Sequence, residues 1–179
     1  TVGLVKTDAT GNYSLPLAAG TYRVNVHGGY YYEGPSNIPT PQYFVINSII
    51  SNLIISSNTI QDINLPFVTL SGRTIDSNGV PIGGVTIKVP GVSWSQGITS
   101  YHCNNENSPY IVSDASGNYS ITMLSYNNYA ETIIPPSDSG FAQTVVNNLS
   151  VTHDILQNII LNMPDDDPPI IISGPNVTA

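Results

Sequence analysis

Short stretches in which apolar and polar residues alternate recur along this chain of 179 residues. Residues 22–26 read Tyr-Arg-Val-Asn-Val, and residues 85–89 read Val-Thr-Ile-Lys-Val. Period-2 alternation of this kind is typical of β-strands that bury one face. Other stretches that are alternating or rich in β-branched residues also predict strands: 1–6, 13–17, 44–46, 54–55, 60–65 and 70–75.

No stretch of the sequence favours a helix. Residues 46–55 carry apolar positions that a helix could also use, but they are rich in β-branched residues, Asn and Ser. β-Branched side chains lose rotamer freedom in a helix and suit a pleated sheet, so this stretch predicts strand and turn. The pattern therefore predicts an all-β fold.

One turn motif occurs twice. The form Asp-x-x-Gly-x-Tyr stands at Asp8–Tyr13 and again at Asp114–Tyr119, 106 residues later (114 minus 8). The Asp carboxylate can accept backbone N–H groups of its own turn, and Gly adopts a left-handed conformation at little cost. Each copy therefore predicts a turn that leads into a strand.

A second match extends the repeat. Residues 52–65 align without gaps to residues 148–161, at an offset of 96 (148 minus 52). The change in offset assigns ten extra residues (106 minus 96) to the middle of the first copy, which contains a Tyr- and Pro-rich stretch at 27–42. Loops absorb differences in length, whereas cores do not.

These repeats predict two tandem β-sandwich units followed by a tail. The first predicted unit is 1–67, the second predicted unit is 68–163, and residues 164–179 are predicted to be an acidic, Pro-rich linker and a terminal strand. Strands at 68–89 open the second unit, followed by a polar insertion at about 91–109. The first unit has no counterpart to these opening strands, so we expect a fragment of a longer polypeptide or a neighbouring chain that supplies the strand.

Residues 72–87 and 114–119 of the second unit, with 8–13 and 20–24 of the first, resemble carboxypeptidase regulatory-like domains. Their relatives are the transthyretin-like and collagen-adhesin B-type repeats. The resemblance implies prealbumin-like (Ig-like) sandwiches that act as stalks and spacers of surface proteins or as appendages of secreted enzymes. It carries over no catalytic residues. Some relatives form an internal Lys–Asn bond, but the first strand of the second unit has Arg73 and no Lys.

Composition narrows the class of function. Only 9% of residues are charged and the net charge is −8, with four Lys and Arg in all. Nucleic acids and anionic membrane surfaces are bound through clustered Lys and Arg, so neither is an expected partner. No apolar run is long enough to insert in a membrane. Low charge with much Ser, Thr, Asn and Tyr is typical of extracellular or cell-surface β-proteins.

Two groups of residues are candidates for metal or thiol chemistry. Asp165, Asp166 and Asp167 could bind calcium, which takes carboxylate and carbonyl oxygens, although a solvated linker is the preferred interpretation. No other cofactor is expected. His102 and Cys103 form the one adjacent His/Cys pair. We interpret them as part of a polar loop with a free thiol, because nucleophilic and zinc sites need further partners.

Aromatic and Asn residues give candidate contact sites. Tyr30, Tyr31 and Tyr32, with Trp94 and Tyr101, could stack on a glycan or lie in a subunit interface, and the interface is preferred. The chain also carries four acceptor sequons for N-glycosylation, at Asn12, Asn118, Asn148 and Asn176.

These observations favour a non-enzymatic structural subunit of a filament or surface stalk. Its partners would be copies of itself or the rest of a longer polypeptide. A terminal strand, either Val2–Val5 or the one with Ile170, Ile171, Ile172 and Val177, would complete a neighbour's first unit by strand addition. The alternative is a spacer or carbohydrate-binding fragment of a larger secreted enzyme or adhesin.

Overall fold

The computed structural model describes residues 2–29, 43–103, 111–164 and 172–173. These residues form β-strands and connecting segments with no helix, which confirms the predicted all-β class; no helix that could span a membrane is therefore found among them. The strands are β1 (Gly20–Gly29), β2 (Tyr43–Ile55), β3 (Phe67–Asp76), β4 (Thr86–Lys88), β5 (Val92–Gln96), β6 (Thr99–Cys103), β7 (Ile111–Val112), β8 (Asn118–Leu124), β9 (Tyr126–Ile134), β10 (Thr144–Val151), β11 (Ile155–Leu161) and β12 (Ile172–Ser173).

Two four-stranded sheets share one apolar core, as in a β-sandwich. One has the order β10-β9-β4-β7 and the other the order β12-β11-β3-β8. All their pairings are antiparallel except that of β11 with β3. Apolar side chains from both sheets are buried together: Leu70, Val85, Ile87, Val89, Tyr119, Met123, Tyr129, Ile133, Leu149, Val151, Ile159 and Leu161.

A third sheet, of order β1-β2-β6-β5, takes strands from both predicted units. Strand β2 pairs antiparallel with β6, so that Phe44 lies opposite Cys103. A second apolar cluster forms beneath this pairing and contains Phe44, Ile46, Cys103 and Leu124. The two predicted units are thus joined by a continuous sheet and a shared apolar cluster.

The prediction of a polar insertion at about 91–109 was wrong for residues 92–103. These residues form the hairpin β5–β6. Val92 and Trp94 in β5, and Tyr101 and Cys103 in β6, alternate with polar residues and turn toward the apolar cluster. Gly97, with φ of +61°, provides the left-handed residue of the connecting turn. Abundant Ser and Gln obscured this alternation in the sequence.

Three stretches predicted as strands are not strands in the structure. The described residues 2–18 and 56–66, which cover the predictions 1–6, 13–17 and 60–65, form no β-ladder, although Leu15, Leu17, Ile63 and Leu65 are half-buried. Alternation provides a buried face, but a strand also needs a neighbouring backbone for its hydrogen bonds. The prediction for 46–55, in contrast, is confirmed by β2.

Two buried polar side chains of the sandwich differ from Thr74 and Ser113, which are buried and hydrogen-bonded to each other. Glu131 and Gln157 are fully buried, and neither the Glu131 carboxyl oxygens nor the Gln157 amide atoms have a hydrogen-bond partner among the described residues. Burial raises the pKa of the Glu131 carboxyl from 4.5 to about 7. Because the unfolded chain releases this proton more readily than the folded one, stability falls as the pH rises from about 4.5 to 7.

We therefore expect Glu131→Gln to change the pH dependence of stability. The variant should remove a loss on the order of 3 kcal/mol between pH 4.5 and pH 8, because one pKa unit corresponds to about 1.4 kcal/mol. Urea unfolding of both proteins at the two pH values measures the difference. If wild type and variant show equal pH dependence of stability, the raised pKa of the Glu131 carboxyl is contradicted.

Candidate functional site

The two sequence-predicted Asp turns have the same geometry in the structure. The Oδ1 atom of Asp8 accepts the backbone N–H groups of the residues two and four positions later, at 2.9 Å each. Asp114 makes the same bonds at 2.9 and 2.8 Å, and so does Asp76 at 2.9 and 2.8 Å. Hydrogen bonds, first of all from side chains, lower the pKa of the Asp8 and Asp114 carboxyls. All three Asp residues are turn formers, as predicted for Asp8 and Asp114.

A tyrosine hydrogen bond after each turn is also repeated. The hydroxyl of Tyr22 donates to the backbone oxygen of Ala18 at 2.7 Å, and the hydroxyl of Tyr129 donates to that of Leu124 at 2.7 Å. Ala18 and Leu124 are related by the 106-residue offset (124 minus 18). The donor tyrosines are 107 residues apart (129 minus 22), so the second bond spans one residue more. Strands β1 and β9, which carry these tyrosines, therefore begin in a similar way.

The hairpins that follow share a bulge. In β1 and β2, Tyr22 lies opposite Leu53, and the residue two positions after Tyr22 lies opposite Ile50. In β9 and β10, Tyr129 lies opposite Leu149, and the residue two positions after Tyr129 lies opposite Val146. Each second strand thus carries one extra residue at the same place. Leu53 and Leu149 are related by the offset of 96 (149 minus 53).

A third repeated bond links distant parts of each predicted unit. The hydroxyl of Tyr119 in β8 donates to the backbone oxygen of Gln157 in β11 at 2.8 Å. The hydroxyl of Tyr13 donates to the backbone oxygen of Gln61 at 2.5 Å. The residues correspond by the two offsets, 106 (119 minus 13) and 96 (157 minus 61). The segments 12–17 and 59–65 therefore correspond to β8 and β11.

In the second predicted unit, strand β3 runs beneath this bond. Strand β3 pairs with β8 on one side and with β11 on the other, and Gly72 lies opposite Tyr119. A Cβ atom on Gly72 would lie 1.6 Å from the backbone oxygen of Gln157 and 3.1 Å from the Tyr119 ring. The distance of 1.6 Å is far inside van der Waals contact and that of 3.1 Å is tight, so this point of β3 requires glycine.

In the first predicted unit, no described strand lies between segments 12–17 and 59–65. Neighbouring strands are about 4.8 Å apart, so β8 and β11 are separated by two such spacings, about 9.6 Å. Because Tyr13 reaches Gln61 as Tyr119 reaches Gln157, segments 12–17 and 59–65 have a similar separation at that point. We call the space between these two segments, beneath the Tyr13 side chain, the open slot.

Two pairs of corresponding residues show that the open slot is accessible. A Cβ on Gly117 would lie 2.4 Å from the Thr74 backbone oxygen of β3, whereas a Cβ on Gly11, in the equivalent turn, would meet no described atom within 4 Å. Tyr13 is 40% exposed and Tyr119 only 5%. The backbone edges and the tyrosine ring that enclose β3 in the second unit therefore meet no described strand in the first.

The predicted His102–Cys103 pair is not brought together as a reactive dyad. Both residues lie on β6, where neighbours point to opposite faces, so Cys103 is buried in the apolar cluster and His102 is exposed beside Ser93. Burial, opposed by a hydrogen bond involving the Leu124 backbone, raises the pKa of the Cys103 thiol to about 11. A thiol with so high a pKa is a poor nucleophile at neutral pH.

The predicted aromatic surface is partly built into the protein. Trp94 stacks on Tyr101, with ring centroids 4.9 Å apart, and on Tyr126, at 4.4 Å. Tyr126 in turn meets Tyr129 edge to face. Because protein rings stack on Trp94, it links the hairpin β5–β6 to β9 and is a poor platform for a sugar. Tyr30, Tyr31 and Tyr32 lie outside the described residues.

Some of the remaining predicted residues lie in the described ranges and others lie outside them. Asn12, Asn118 and Asn148 are exposed, and the side-chain amides of Asn12 and Asn118 donate to the carboxylates of their turns. No group of three or more His, Cys, Asp or Glu is arranged to hold a metal within the part of the chain that the structure describes. Ile172 lies in β12. The other predicted residues lie outside the described ranges: Asp165, Asp166, Asp167, Ile170, Ile171, Asn176 and Val177.

No protein-family model and no curated protein matches this chain. The resemblance to carboxypeptidase regulatory-like and transthyretin-like repeats therefore remains an interpretation based on the motifs themselves.

A matched pair of substitutions measures how differently the two tyrosines are held. We expect Tyr119→Phe to cost about 1–3 kcal/mol of unfolding free energy, because it leaves the Gln157 oxygen buried and unpaired. Tyr13→Phe should cost less than about 1 kcal/mol, since water reaches the half-exposed Gln61 site. Urea unfolding measures both values. Equal losses would show that the slot beneath Tyr13 is closed.

The reactivity of Cys103 tests its burial. At pH 8 a thiol of pKa about 11 is thiolate in only about one molecule in a thousand. We expect a thiol reagent such as DTNB to label the native protein slowly and the urea-unfolded protein at once. The variant Ser95→Cys places a second thiol at an exposed position of the same hairpin and should be labelled rapidly. Fast labelling of native Cys103 would contradict this picture.

Proposed function

We propose that this chain is an extracellular structural subunit of a filament or surface stalk, assembled head to tail by β-strand complementation between subunits. The observation that carries the proposal is the open slot. Segments 12–17 and 59–65 repeat the Tyr–carbonyl bond that encloses β3 in the other half of the chain, and no described strand lies between them.

The slot offers what an added strand needs. An inserted strand gains main-chain hydrogen bonds along its two edges, while alternate side chains reach the apolar face beneath. Leu15 and Leu17 on one side, and Ile63 and Leu65 on the other, are half-buried, whereas Ile159 and Leu161 at the last two positions are fully buried in the other half. A strand in the slot would cover them in the same way.

A contact between one subunit's tail and another's slot joins two different surfaces. Such a heterologous contact does not close on itself unless a rotation brings the ends together, so repetition produces a fibre or stalk. Low charge, abundant polar uncharged residues and a single buried cysteine suit the cell exterior. Because the only cysteine is buried, lateral disulfide links are not part of the proposed assembly.

The same slot supports a second candidate function. If the strand comes from the same, longer polypeptide, the chain is a spacer between other domains of a secreted enzyme or adhesin. The glycan-binding form of this alternative has less support, because Tyr101 and Tyr126 stack on the Trp94 ring.

Removing residues 170–179 tests the proposal. We expect the purified full-length chain to form filaments visible by negative-stain electron microscopy, and the truncated chain to remain dispersed. A variant with the same ten residues in scrambled order is the control for length and composition and should also remain dispersed. Filaments of unchanged number and width from the truncated chain would overturn strand complementation, and a dispersed full-length chain would favour the spacer function.

A further inference from the structure

We infer that the open slot accepts residues 170–177 of a second copy of this chain, in the one register that places Gly174 beneath Tyr13. The inference rests on the proposed function and goes further by naming the acceptor segments, the donor residues and the residue that sets the register. Its basis is the fit between the requirements of the slot and the sequence of the tail.

The first requirement is a glycine at a fixed point. Gly72 of β3 lies under the Tyr119–Gln157 bond, where a Cβ would overlap the Gln157 backbone oxygen. The Tyr13–Gln61 bond crosses the open slot at the corresponding point. A strand that lies in the slot as β3 lies in the second predicted unit must therefore present glycine there.

The second requirement is an apolar side chain two and four residues before that glycine. In β3 these positions hold Leu70, which is fully buried, and Val68, which packs against the core. The residue between Leu70 and Gly72 is Ser71, which points the other way. The pattern apolar-x-apolar-Ser-Gly, with another apolar residue three positions later, describes this strand as far as Ile75.

The chain contains this pattern at only one other place, residues 170–177. Ile170, Ile172 and Val177 stand where β3 has Val68, Leu70 and Ile75, and Ser173-Gly174 repeats Ser71-Gly72. The offset is 102 throughout (174 minus 72).

Proline at position 175 is compatible with this register. Its counterpart Arg73 donates its backbone N–H to the side-chain Oδ1 of Asn158, at 3.1 Å, and the residue pairs of β3 with β11 skip Gly72 and Arg73. A proline lacks this N–H, so it loses one bond to a side chain and leaves the backbone ladder intact. In the first predicted unit the residue that corresponds to Asn158 is Asp62 (158 minus 96). Its carboxylate, unlike the Asn158 amide, has no N–H group to donate.

The alternative donor, Val2–Val5, does not meet these requirements. A Cβ on Gly3 would lie 3.0 Å from the side chain of Leu15, so this segment already lies against its own chain. Its sequence also lacks the apolar pair before the glycine. The described residues of the tail, 172 and 173, pair with the edge of β11 through Gln157 with Ser173 and Asn158 with Ile172. This pairing is what residues 172 and 173 would exchange for the slot of a neighbour.

A peptide-binding experiment tests the register without requiring filaments. The acceptor is the full-length chain carrying Gly174→Val, whose own tail does not fit the slot. The probe is a fluorescent peptide of residues 168–179, and its binding is measured by anisotropy. We expect binding by the wild-type peptide, affinity about 10- to 100-fold lower for the peptide with Gly174→Val, and less than about threefold change for the matched control Ser173→Val.

Hydrogen exchange locates the bound peptide. Amides within both segments 12–17 and 59–65 should become protected when the wild-type peptide binds, since an inserted strand bonds to both edges. Equal affinity of the two substituted peptides, protection confined to the edge of β11, or no binding at all would each overturn the inference. If the wild-type chain forms filaments although the register fails, the proposed function stands and only the inference about the register is overturned. If the peptide binds in the slot but the chain forms no filaments, the inference about the register stands and the filament function is overturned.

Discussion

The hydrogen bond from the Tyr119 hydroxyl to the Gln157 backbone oxygen is the constraint on which much of this fold depends. It passes over β3 and joins the two strands that flank it, so it fixes both their separation and the residue allowed between them. Gly72 is required because any side chain would occupy the position of the carbonyl that accepts the bond. One interaction therefore couples the width of the sheet to a single residue of its central strand.

The same bond in the other half of the chain shows the arrangement where no described strand lies between the two flanking segments. Tyr13 still reaches Gln61, and the Asp8 turn, the Tyr22 bond and the bulged hairpin are all retained. The Asp turn thus needs only local interactions, whereas the hairpin is retained together with its other neighbour, β6. The flanking segments, however, are not strands, because the ladder hydrogen bonds that define a strand need a neighbouring backbone.

The difference between local turn bonds and ladder bonds to a neighbouring backbone explains which elements the sequence alone could predict. The Asp-x-x-Gly turns were predictable because the Asp carboxylate and the left-handed Gly act within a few residues. Strands with a partner, such as residues 70–75 and 85–89, were predicted by their alternation. Residues 13–17 and 60–65 alternate equally well, so their lack of ladder pairing could not be seen. Likewise nothing local indicated that the hairpin β5–β6 would pair with β2, because that pairing is non-local.

The tyrosine hydroxyls of the open slot could not have been predicted either. The repeat placed Tyr13 and Tyr119 at equivalent positions, and it placed residues 61 and 157 at equivalent positions by a different offset. Only the structure shows that these two pairs meet in space.

The pairing of β2 with β6 has a mechanical consequence for any stalk built from this chain. Two domains joined by a single linker bend freely unless their interface is large and apolar. Here the joint contains four backbone residue pairs between β2 and β6, and an apolar cluster in which Phe44 and Leu124 are buried together. Trp94, stacked on Tyr126, ties the hairpin β5–β6 of this joint to β9 within the second predicted unit. Bending at this point would require ladder bonds to break and apolar surface to be exposed, so this joint resists bending. A spacer and a filament subunit both need this property, which is why the joint supports a structural function whichever polypeptide supplies the strand for the slot.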